Sequence, residues 1–404
     1  MPGEREAGGW YGISGWSNRL IASRKFQKWA AKSFLTRRMV RREGAALFGL
    51  LAGFCHSQVL MALVQFDIFN LLLKGPKTLE ELAETCKVPQ DRMTILLRAA
   101  VALKLLRSKG GGRFALSKTS AALLGVPGLS DMIRHHDVLY RDLSDPAAFF
   151  RGDTQTELAD FWPYVFGGEM EPQAAKTYSD LMARSQELVA EDTLRSLDLS
   201  TVGTLLDVGG GSGAFLEHVG RAHPHVKLML FDLEQVAPTA APRFAAAGMD
   251  DRAQIACGSF KTDAIPEGAD SISLIRVLYD HTDETVAMLL AKCWASLPVG
   301  GRLIISEPMS GGACPEPAGD VYFALYTLAM RTGKTRSIQE ISTLCRQAGF
   351  DIIKTPKPAR AFVTRCLEAR KVAFAPESEY SLWIGSSHFF SKHRQCQANR
   401  SRRH

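Results

Sequence analysis

The sequence contains no run of eighteen apolar residues, so no helix of the chain is expected to cross a membrane. The opening residues, MPGEREAGGWYG, lack the basic and then apolar order of a secretory signal peptide. The eight cysteines are scattered, and no two have the C-x-x-C spacing of a zinc or redox pair. We therefore expect a cytoplasmic protein without a metal ion.

Acidic residues are absent from one stretch near the N-terminus. Residues 19–42 contain nine Arg or Lys side chains and no Asp or Glu, within a chain of net charge +7. Apolar residues such as Trp29 and Phe34 are interleaved with the cations, so a helix here has a basic surface and an apolar stripe. This basic amphipathic segment, residues 1–45, fits a second copy of the chain, an anionic membrane surface or nucleic acid.

The 404 residues are too many for one ordinary domain. Residues 46–200 show mostly helical spacing of apolar positions. Within them, Thr78 and Glu81 form a capping-box pattern, a second helix is expected over residues 90–105, and KGGG predicts the turn of a β-hairpin. Two helices followed by a hairpin are typical of a winged helix.

Winged helices commonly bind DNA, but the second helix here is poor in side chains that read bases. Its sequence, DRMTILLRAAVALKLL, offers Arg92, Arg98 and Lys104 among Leu, Ile, Ala and Val. A recognition helix presents several Arg, Lys, Asn or Gln side chains to base edges. We therefore expect a dimerisation and substrate-lid domain with no nucleic-acid partner. A winged-helix regulator that senses a cofactor is the alternative from another functional class.

From residue 203 onward, short apolar runs alternate with helical segments. The runs are TLLDV, KLMLFDL, AQIACGS, SISLIRVL and GRLIISEP. This alternation predicts a Rossmann-like, doubly wound α/β domain over residues 201–371, built on a parallel sheet. The later run FVTRCLE predicts a further strand at the edge of the sheet. The basic, aperiodic residues 372–404 are expected to be disordered.

The segment TLLDVGGGSGAFLEHV predicts a strand, a glycine turn and a helix that bind a nucleotide-like cofactor. Gly209 and Gly211 let the backbone approach a ligand, and Asp232, at the end of the next strand, can accept both hydroxyls of a ribose. The spacing Gly209-x-Gly211-x-x-Ala214 meets the dinucleotide fingerprint, so NAD is a candidate. S-adenosylmethionine is favoured, because Asp207 precedes the glycines where it can hold an amino group, and the Gly-Gly-Gly-Ser-Gly sequence is the methyltransferase form.

Seven segments carry a resemblance to a known family: FDIFNLLLKGPKTLEELAE, LLRAAVALKLL, LLDVGGGSGAFL, FDLEQV, GSF, RVLYDHTDE and GRLIISEP. In this order, within residues 46–370, they resemble the bacterial and plant small-molecule O-methyltransferases with an N-terminal winged-helix dimerisation domain. GSFKTDAIPEGADSISLIRVL and LIRVLYDHTDE are most similar to the carotenoid branch, the hydroxyneurosporene and demethylspheroidene O-methyltransferases of purple photosynthetic bacteria.

This resemblance implies an S-adenosylmethionine-dependent enzyme that works as a homodimer. The implied methyl acceptor is a hydroxyl of an apolar molecule, a hydroxylated acyclic carotenoid, and a phenol or polyketide is the alternative. Together with the basic N-terminal segment, such a substrate suggests peripheral contact with the inner, photosynthetic membrane. Three residues are expected to line the substrate pocket: Trp162, Phe166 and Met182.

The resemblance also implies which residues surround the cofactor. They lie in the glycine loop and at the ends of the following strands: Asp207, Gly209, Gly211, Asp232, Leu233, Gly258, Ser259, Phe260, Arg276 and Asp280. Two positions depart from the family, because Gly258 replaces an Asp and Ile275, with Arg276 alongside, replaces a Lys.

The segment SLIRVLYDHTDETV, residues 273–286, places ionisable groups at a strand end. The family has His-Asp-Trp here, with the His as general base, and this sequence has Tyr279, Asp280 and His281. An alcohol needs a general base worth about 10²–10⁴ in rate. His281, with an unperturbed pKa of about 6.5, is ready at neutral pH, whereas Tyr279, at about 10, is not.

The backbone decides whether His281 reaches the substrate. If the chain stays extended past Leu278, residues 279 and 281 share a face, so that His281 is the base and Tyr279 orients the substrate oxygen. If a helix begins at Asp280 instead, only Tyr279 faces the pocket. Glu307 matches the acid that steadies the base in the plant branch. In a third alternative, His281 caps the next helix and orientation alone drives the reaction.

Overall fold

The computed structural model describes residues 12–160, 185–360 and 363–373. The chain divides into two compact units, one up to Leu123 and one from Leu124 onward. The sequence grouped residues 46–200 together, but the structure places the boundary earlier, since helices after Leu124 pack within the second unit. The tail expected to be disordered falls, from residue 374 on, outside the described residues.

The first unit contains the expected winged helix. Its three strands form a sheet in the order β1-β3-β2, and Thr78 and Glu81 make the capping box that starts α6. The described helices are α1 Gly12–Ala22, α2 Arg24–Lys32, α3 Arg37–Leu51, α4 Gly53–Gln65, α5 Ile68–Leu73, α6 Leu79–Cys86 and α7 Gln90–Ala102, with α8 Lys118–Leu124 at the boundary. The strands are β1 Lys77–Thr78, β2 Leu106–Lys109 and β3 Arg113–Leu116.

Helices α1 to α4 and the turn between α2 and α3 leave many large apolar side chains exposed in the single chain. Those more than half exposed are Trp16, Ile21, Trp29, Phe34, Leu35, Met39, Leu47, Phe48, Leu50, Leu51 and Phe54. No single described helix has the length and apolar composition needed to cross a bilayer, although α3 and α4 meet that test as a pair bent by 53°.

The second unit is an α/β domain preceded by helices. Its helices are α9 Leu129–Asp142, α10 Pro146–Arg151, α11 Glu157–Asp160, α12 at residues 185–196, α13 Ala214–Ala222, α14 Ala241–Ala246, α15 Asp283–Ser296, α16 Ala324–Ala329 and α17 Ile338–Gln347. The unit also contains two 3₁₀ helices, Ala237–Ala240 and Leu278–Asp280, and the π-helical turn Ala318–Phe323. The strands are β4 Thr204–Val208, β5 Lys227–Asp232, β6 Ala253–Cys257, β7 Ser271–Ile275, β8 Arg302–Glu307, β9 Phe350–Lys354 and β10 Arg365–Lys371.

The seven strands form one sheet in the order β6-β5-β4-β7-β8-β10-β9. The first five run parallel, as the sequence predicted. Strand β10, which contains the RCLE part of FVTRCLE, is antiparallel and lies between β8 and β9, so the expectation of an edge strand is wrong. Its Cys366, Leu367 and Ala369 are fully buried, and this burial suits an interior position covered on both faces.

Alternate residues of the central strands face opposite helical layers. Leu206 and Val208 of β4 pack in a core with residues of α15 and α17, while Leu205 packs with residues of α12 and α13. Because both faces are covered, the strands appear in the sequence as continuous apolar runs. The carboxyl ends of five parallel strands consequently meet at one edge of the sheet, where doubly wound proteins bind ligands.

Candidate active site

The glycine loop after β4 is held in a shape that side chains would prevent. Gly209 has φ +71° and Gly213 has φ +75°, both in the left-handed region. A Cβ on Gly209 would lie 2.9 Å from Val277, and one on Gly213 would lie 2.7 Å from the ring of Phe244. The loop therefore packs tightly between α14 and the turn that follows β7.

Asp232 ties the glycine loop to the end of β5. Its Oδ2 accepts a hydrogen bond from the backbone N–H of Gly211 at 2.7 Å, and its Oδ1 accepts one from Leu233 at 2.7 Å. Each carboxylate oxygen keeps a second lone pair, which can accept a ribose hydroxyl. Burial raises the pKa of Asp232, and the two backbone donors oppose that shift.

Asp207 is the buried acid beneath the loop. Ser273 donates to its Oδ1 at 2.6 Å, and its Oδ2 would lie 2.8 Å from a Cβ built on Gly210. Burial raises the pKa of Asp207 to about 7. A cationic amino group bound beside this carboxylate would stabilise its charged form and lower the pKa again.

The loop after β6 lies beside Asp232. The backbone N–H of Gly258 donates to the carbonyl of Asp232 at 2.9 Å, and a Cβ on Gly258 would lie 2.8 Å from the ring of Phe231. The backbone N–H of Ser259 donates to Asp263 Oδ2 at 2.7 Å. The tight contact with Phe231 explains why Gly stands where the family has Asp.

The structure corrects the backbone expected at residues 273–286. Strand β7 ends at Ile275, three residues earlier than predicted. Arg276 then takes φ +59°, a left-handed conformation uncommon for a residue with a side chain, and the chain turns into the 3₁₀ helix Leu278–Asp280. Of the two backbone alternatives, the one with a chain that stays extended past Leu278 therefore does not hold.

Glu307 causes this turn. It ends β8 with 1% of its surface exposed, and its carboxylate accepts three backbone N–H groups: Val277 at 2.8 Å, Leu278 at 2.8 Å and Tyr279 at 3.4 Å. Converging N–H groups of this kind require the chain to curl around the acceptor. Glu307 thus positions the turn. That it steadies a base, the role expected from the plant branch, stays a prediction.

The turn sends Tyr279 and His281 to different neighbours. The Tyr279 hydroxyl accepts a long hydrogen bond, 3.4 Å, from Arg276, whose guanidinium also donates to Ser185 at 2.8 Å. The His281 ring instead packs edge-on against Phe260 of the loop after β6, with centroids 5.2 Å apart. The two side chains therefore do not share a face.

Burial suppresses ionisation in this turn. It raises the pKa of Tyr279 and lowers the pKa of His281 to about 4, where the charges of Lys261 and Arg336 act in the same direction. It also raises the pKa of Asp280, whose Oδ1 is buried without a hydrogen-bond partner among the described residues. That His281 is the base stays a prediction, but the argument for it, that residues 279 and 281 share a face, no longer applies.

Sequence reasoning missed a cluster of aromatic and imidazole side chains beside this turn. His135 Nε2 lies 3.0 Å from the Tyr326 hydroxyl, and His136 Nε2 lies 2.7 Å from the Tyr322 hydroxyl. The paired histidines on α9 and the two tyrosines four residues apart were visible signals, but about 190 residues separate them in the chain.

The three residues expected to line the substrate pocket, Trp162, Phe166 and Met182, lie outside the described residues.

Two domain families match this chain. Residues 140–351 match the O-methyltransferase domain, and residues 48–125 match the O-methyltransferase dimerisation domain. The chain belongs to the O-methyltransferase family. The enzyme uses S-adenosylmethionine rather than NAD, and the regulator alternative is set aside. The close-packed glycines and the free lone pairs of Asp232 fit that cofactor.

The enzyme is similar to two curated relatives over most of its length. It is 50% identical over 372 residues to the demethylspheroidene O-methyltransferase of Cereibacter sphaeroides, covering 92% of this chain and 98% of the relative. It is 48% identical to the protein of the same name from Rhodobacter capsulatus, covering 87% of this chain and 88% of the relative.

Solved structures share the fold. The enzyme superposes on human N-acetylserotonin methyltransferase in complex with SAM with a TM-score of 0.69 at 24% identity, covering 82% of this chain and 98% of that one. An SAH-bound methyltransferase of calicheamicin biosynthesis gives 0.68 at 25% identity, covering 82% and 98%.

Replacing Asp232 by Ala is expected to weaken S-adenosylmethionine binding, because two charge-assisted hydrogen bonds to the ribose are lost at about 1.5–3 kcal/mol each. Isothermal titration calorimetry measures the change. Asp251→Ala, an exposed acid in the same unit, is the control and should bind as the wild type does. An unchanged affinity in Asp232→Ala would remove this residue from the cofactor site.

Proposed function

We propose that this O-methyltransferase transfers the methyl group of S-adenosylmethionine to a hydroxyl of a hydroxylated acyclic carotenoid of the demethylspheroidene type. The observation that carries the proposal is the 50% identity, over 92% of the chain, to a demethylspheroidene O-methyltransferase. The 30% identity to a 3-hydroxy-5-methyl-1-naphthoate 3-O-methyltransferase from Streptomyces sahachiroi is much lower, which places a phenolic substrate second.

The chemistry divides between cofactor and protein. The bound cofactor supplies an electrophilic methyl group, so the chain's own residues must bind, orient and deprotonate the acceptor. Orientation alone can contribute about 7–11 kcal/mol. The turn at Leu278–Asp280 supports such orientation, because Glu307 holds its backbone and Arg276 contacts the Tyr279 hydroxyl.

The purified enzyme is expected to transfer label from methyl-labelled S-adenosylmethionine to a hydroxylated acyclic carotenoid presented in detergent micelles. The product should be a methoxy carotenoid, identified by chromatography and mass spectrometry. A panel of phenols and hydroxynaphthoates under the same conditions is the matched comparison. Methylation of the aromatic acceptors alone would refute the carotenoid assignment and leave O-methyltransferase activity intact.

We also propose that the enzyme is a homodimer through its first unit. The dimerisation-domain match covers residues 48–125, and the apolar residues Leu50, Leu51 and Phe54 within it are more than half exposed in the single chain. Contiguous exposed apolar surface of this kind marks an interface. Obligate dimers bury more than about 2,000 Å².

Light scattering at micromolar concentration should therefore give twice the 44.3 kDa mass of one chain. Leu50→Glu together with Leu51→Glu places charges in the apolar interface and should shift the mass toward the monomer. Val299→Glu, which alters an equally exposed apolar residue of the second unit, should leave the dimer intact. A monomeric wild type would contradict the dimer.

We further propose that α1, α2 and the start of α3 contact an anionic membrane surface. Nine cations and no acids lie within residues 19–42, and the exposed Trp16, Trp29 and Phe34 accompany them. Aromatic side chains prefer the lipid interface, and each Lys or Arg near an anionic surface contributes about 1 kcal/mol. These residues precede the dimerisation match, which begins at residue 48.

Sedimentation with phosphatidylglycerol-containing vesicles should show binding that weakens with salt, and phosphatidylcholine vesicles should bind less. Reversing Arg37, Arg38 and Arg41 to Glu should lower the affinity by at least ~10²-fold, from about 1 kcal/mol per charge. A control that reverses three exposed arginines of the second unit should retain binding: Arg195, Arg221 and Arg346. Equal binding of both variants would defeat the proposal.

A further inference from the structure

Two His–Tyr pairs join α9 to the π-helical turn and to α16. His135 and His136 are neighbours on α9, while Tyr322 lies in the π-helical turn Ala318–Phe323 and Tyr326 in α16. The hydrogen bonds are 3.0 Å for His135 with Tyr326 and 2.7 Å for His136 with Tyr322. A π-helical turn shifts the register of a helix and is frequent at functional sites.

The segment that follows α16 holds the turn after β7. The hydroxyl of Thr332 donates to the carbonyl of Asp280 at 2.9 Å, and the backbone N–H of Lys334 donates to the carbonyl of Tyr279 at 2.9 Å. Tyr326 is 5% exposed, and burial together with the charges of Tyr279 and Asp280 raises its pKa. Tyr326 is therefore an electrostatic neighbour of Tyr279. The next residue, Thr327, lies close to the same turn, since a Cβ built on Gly333 would be 2.9 Å from Thr327 and 2.5 Å from the carbonyl of Tyr279.

The two pairs are not equivalent. The electrostatic neighbours of Tyr326 include Tyr279, Asp280 and Arg276, whereas Tyr322 has only Arg276 among them. His136 has its pKa lowered to about 4 by burial and by His135. The pair His135–Tyr326 is consequently the one that has residues of the turn, including the family's catalytic position, among its electrostatic neighbours.

Glu307, His281 and Tyr279 are poorly placed to accept a proton. The Glu307 carboxylate is occupied by three backbone N–H groups, and the His281 ring packs on Phe260. Burial raises the pKa of the Tyr279 hydroxyl, so its phenolate does not form near neutral pH. An alcohol substrate still needs an acceptor for its proton.

We propose that Tyr326 and His135 together accept the proton of the methylated hydroxyl. Tyr326 is the catalytic residue, since its oxygen accepts the substrate hydroxyl while its own hydrogen is donated to Nε2 of neutral His135. His135 acts through Tyr326 and is a positioning residue that holds the tyrosine hydrogen away from the substrate. This inference rests on the proposed function, because a phenol would not need the pair.

Methyl transfer and proton transfer occur together. The alcohol oxygen forms its bond to the methyl carbon, and the carbon–sulfur bond breaks with its electron pair on sulfur. The alcohol proton moves to the Tyr326 oxygen as the Tyr326 proton moves to His135 Nε2. The positive charge of the sulfonium is thereby replaced by that of the imidazolium, which releases its proton to solvent.

The pair predicts a specific pH dependence. His135 must be neutral to accept a proton, and burial lowers its pKa below the ordinary value of about 6.5. Activity should therefore rise with pH through a value under about 6.5 and level off above it. The titratable groups next to His135 are His136, its neighbour on α9, and Tyr326, its hydrogen-bond partner. Tyr326 in turn has Tyr279, Tyr322, Asp280 and Arg276 as electrostatic neighbours.

His135→Asn and Tyr326→Phe are each expected to lower kcat toward the carotenoid alcohol by about 10²–10⁴, with KM and cofactor affinity nearly unchanged. Both should lose the acidic limb of the pH profile. The double variant should be no slower than the slower single variant, because the two residues act as one unit. His136→Asn and Tyr322→Phe, the equivalent changes in the other pair, should keep the limb and most of kcat.

Nuclear magnetic resonance of the histidine rings gives a readout that needs no substrate. His135 should titrate below about 6.5, and Tyr326→Phe should shift its Nε2 signal through loss of the hydrogen bond. Calorimetry with S-adenosylmethionine identifies any variant that has misfolded. If His135→Asn has misfolded, His135→Gln is tested in its place.

Three results would overturn the pair. One is a pH profile of His135→Asn that keeps its acidic limb. Another is a large loss of kcat, together with loss of the acidic limb, in His281→Asn instead of His135→Asn. The third is a His135 that is protonated at pH 7. If the wild type methylates no hydroxylated carotenoid, the proposed function fails, and the histidine titration still decides whether the pair can accept a proton.

Discussion

The carboxylate of Glu307 organises the candidate active site through hydrogen bonds to backbone N–H groups. It stands at the end of β8 and binds the N–H groups of residues 277–279, which follow the neighbouring strand β7. Burial raises the pKa of Glu307 to about 7, while the three donors and Arg276 favour its charged form. The acid and the curled backbone therefore stabilise each other.

The contacts of Val277 and Arg276 depend on the backbone conformation of this turn. Val277 is pressed against Gly209, so the cofactor loop and the turn fit only when position 209 has no Cβ. Arg276, in its left-handed conformation, reaches Ser185 and Tyr279 and opposes the raised pKa values of Asp280 and Glu307. Placing two acids and one arginine together in a buried site is unfavourable, because burial opposes their charged forms. Such arrangements are common at functional sites.

The same turn separates two chemical environments. The Phe260 and His281 rings lie together. Tyr279 instead contacts Arg276 and is an electrostatic neighbour of Tyr326 in α16. In the family pattern one histidine occupies the position now held by Tyr279. A base supplied from α9 through Tyr326 would compensate for that replacement, since helix α9 and helix α16 pack in one buried cluster with Val138 and Leu139.

The sequence by itself determined the winged helix, the glycine loop with Asp232, and the five parallel strands, because local spacing and turn residues encode these features. Only the tertiary structure decided that β10 lies inside the sheet and that β7 stops at Ile275. Glu307 lies 28–30 residues from the N–H groups it binds, and His135 lies 191 residues from Tyr326. Such contacts have no local signal, since they depend on strand order and helix packing, and for this reason the neighbours of Tyr279 and His281 could not be read from the pattern around them.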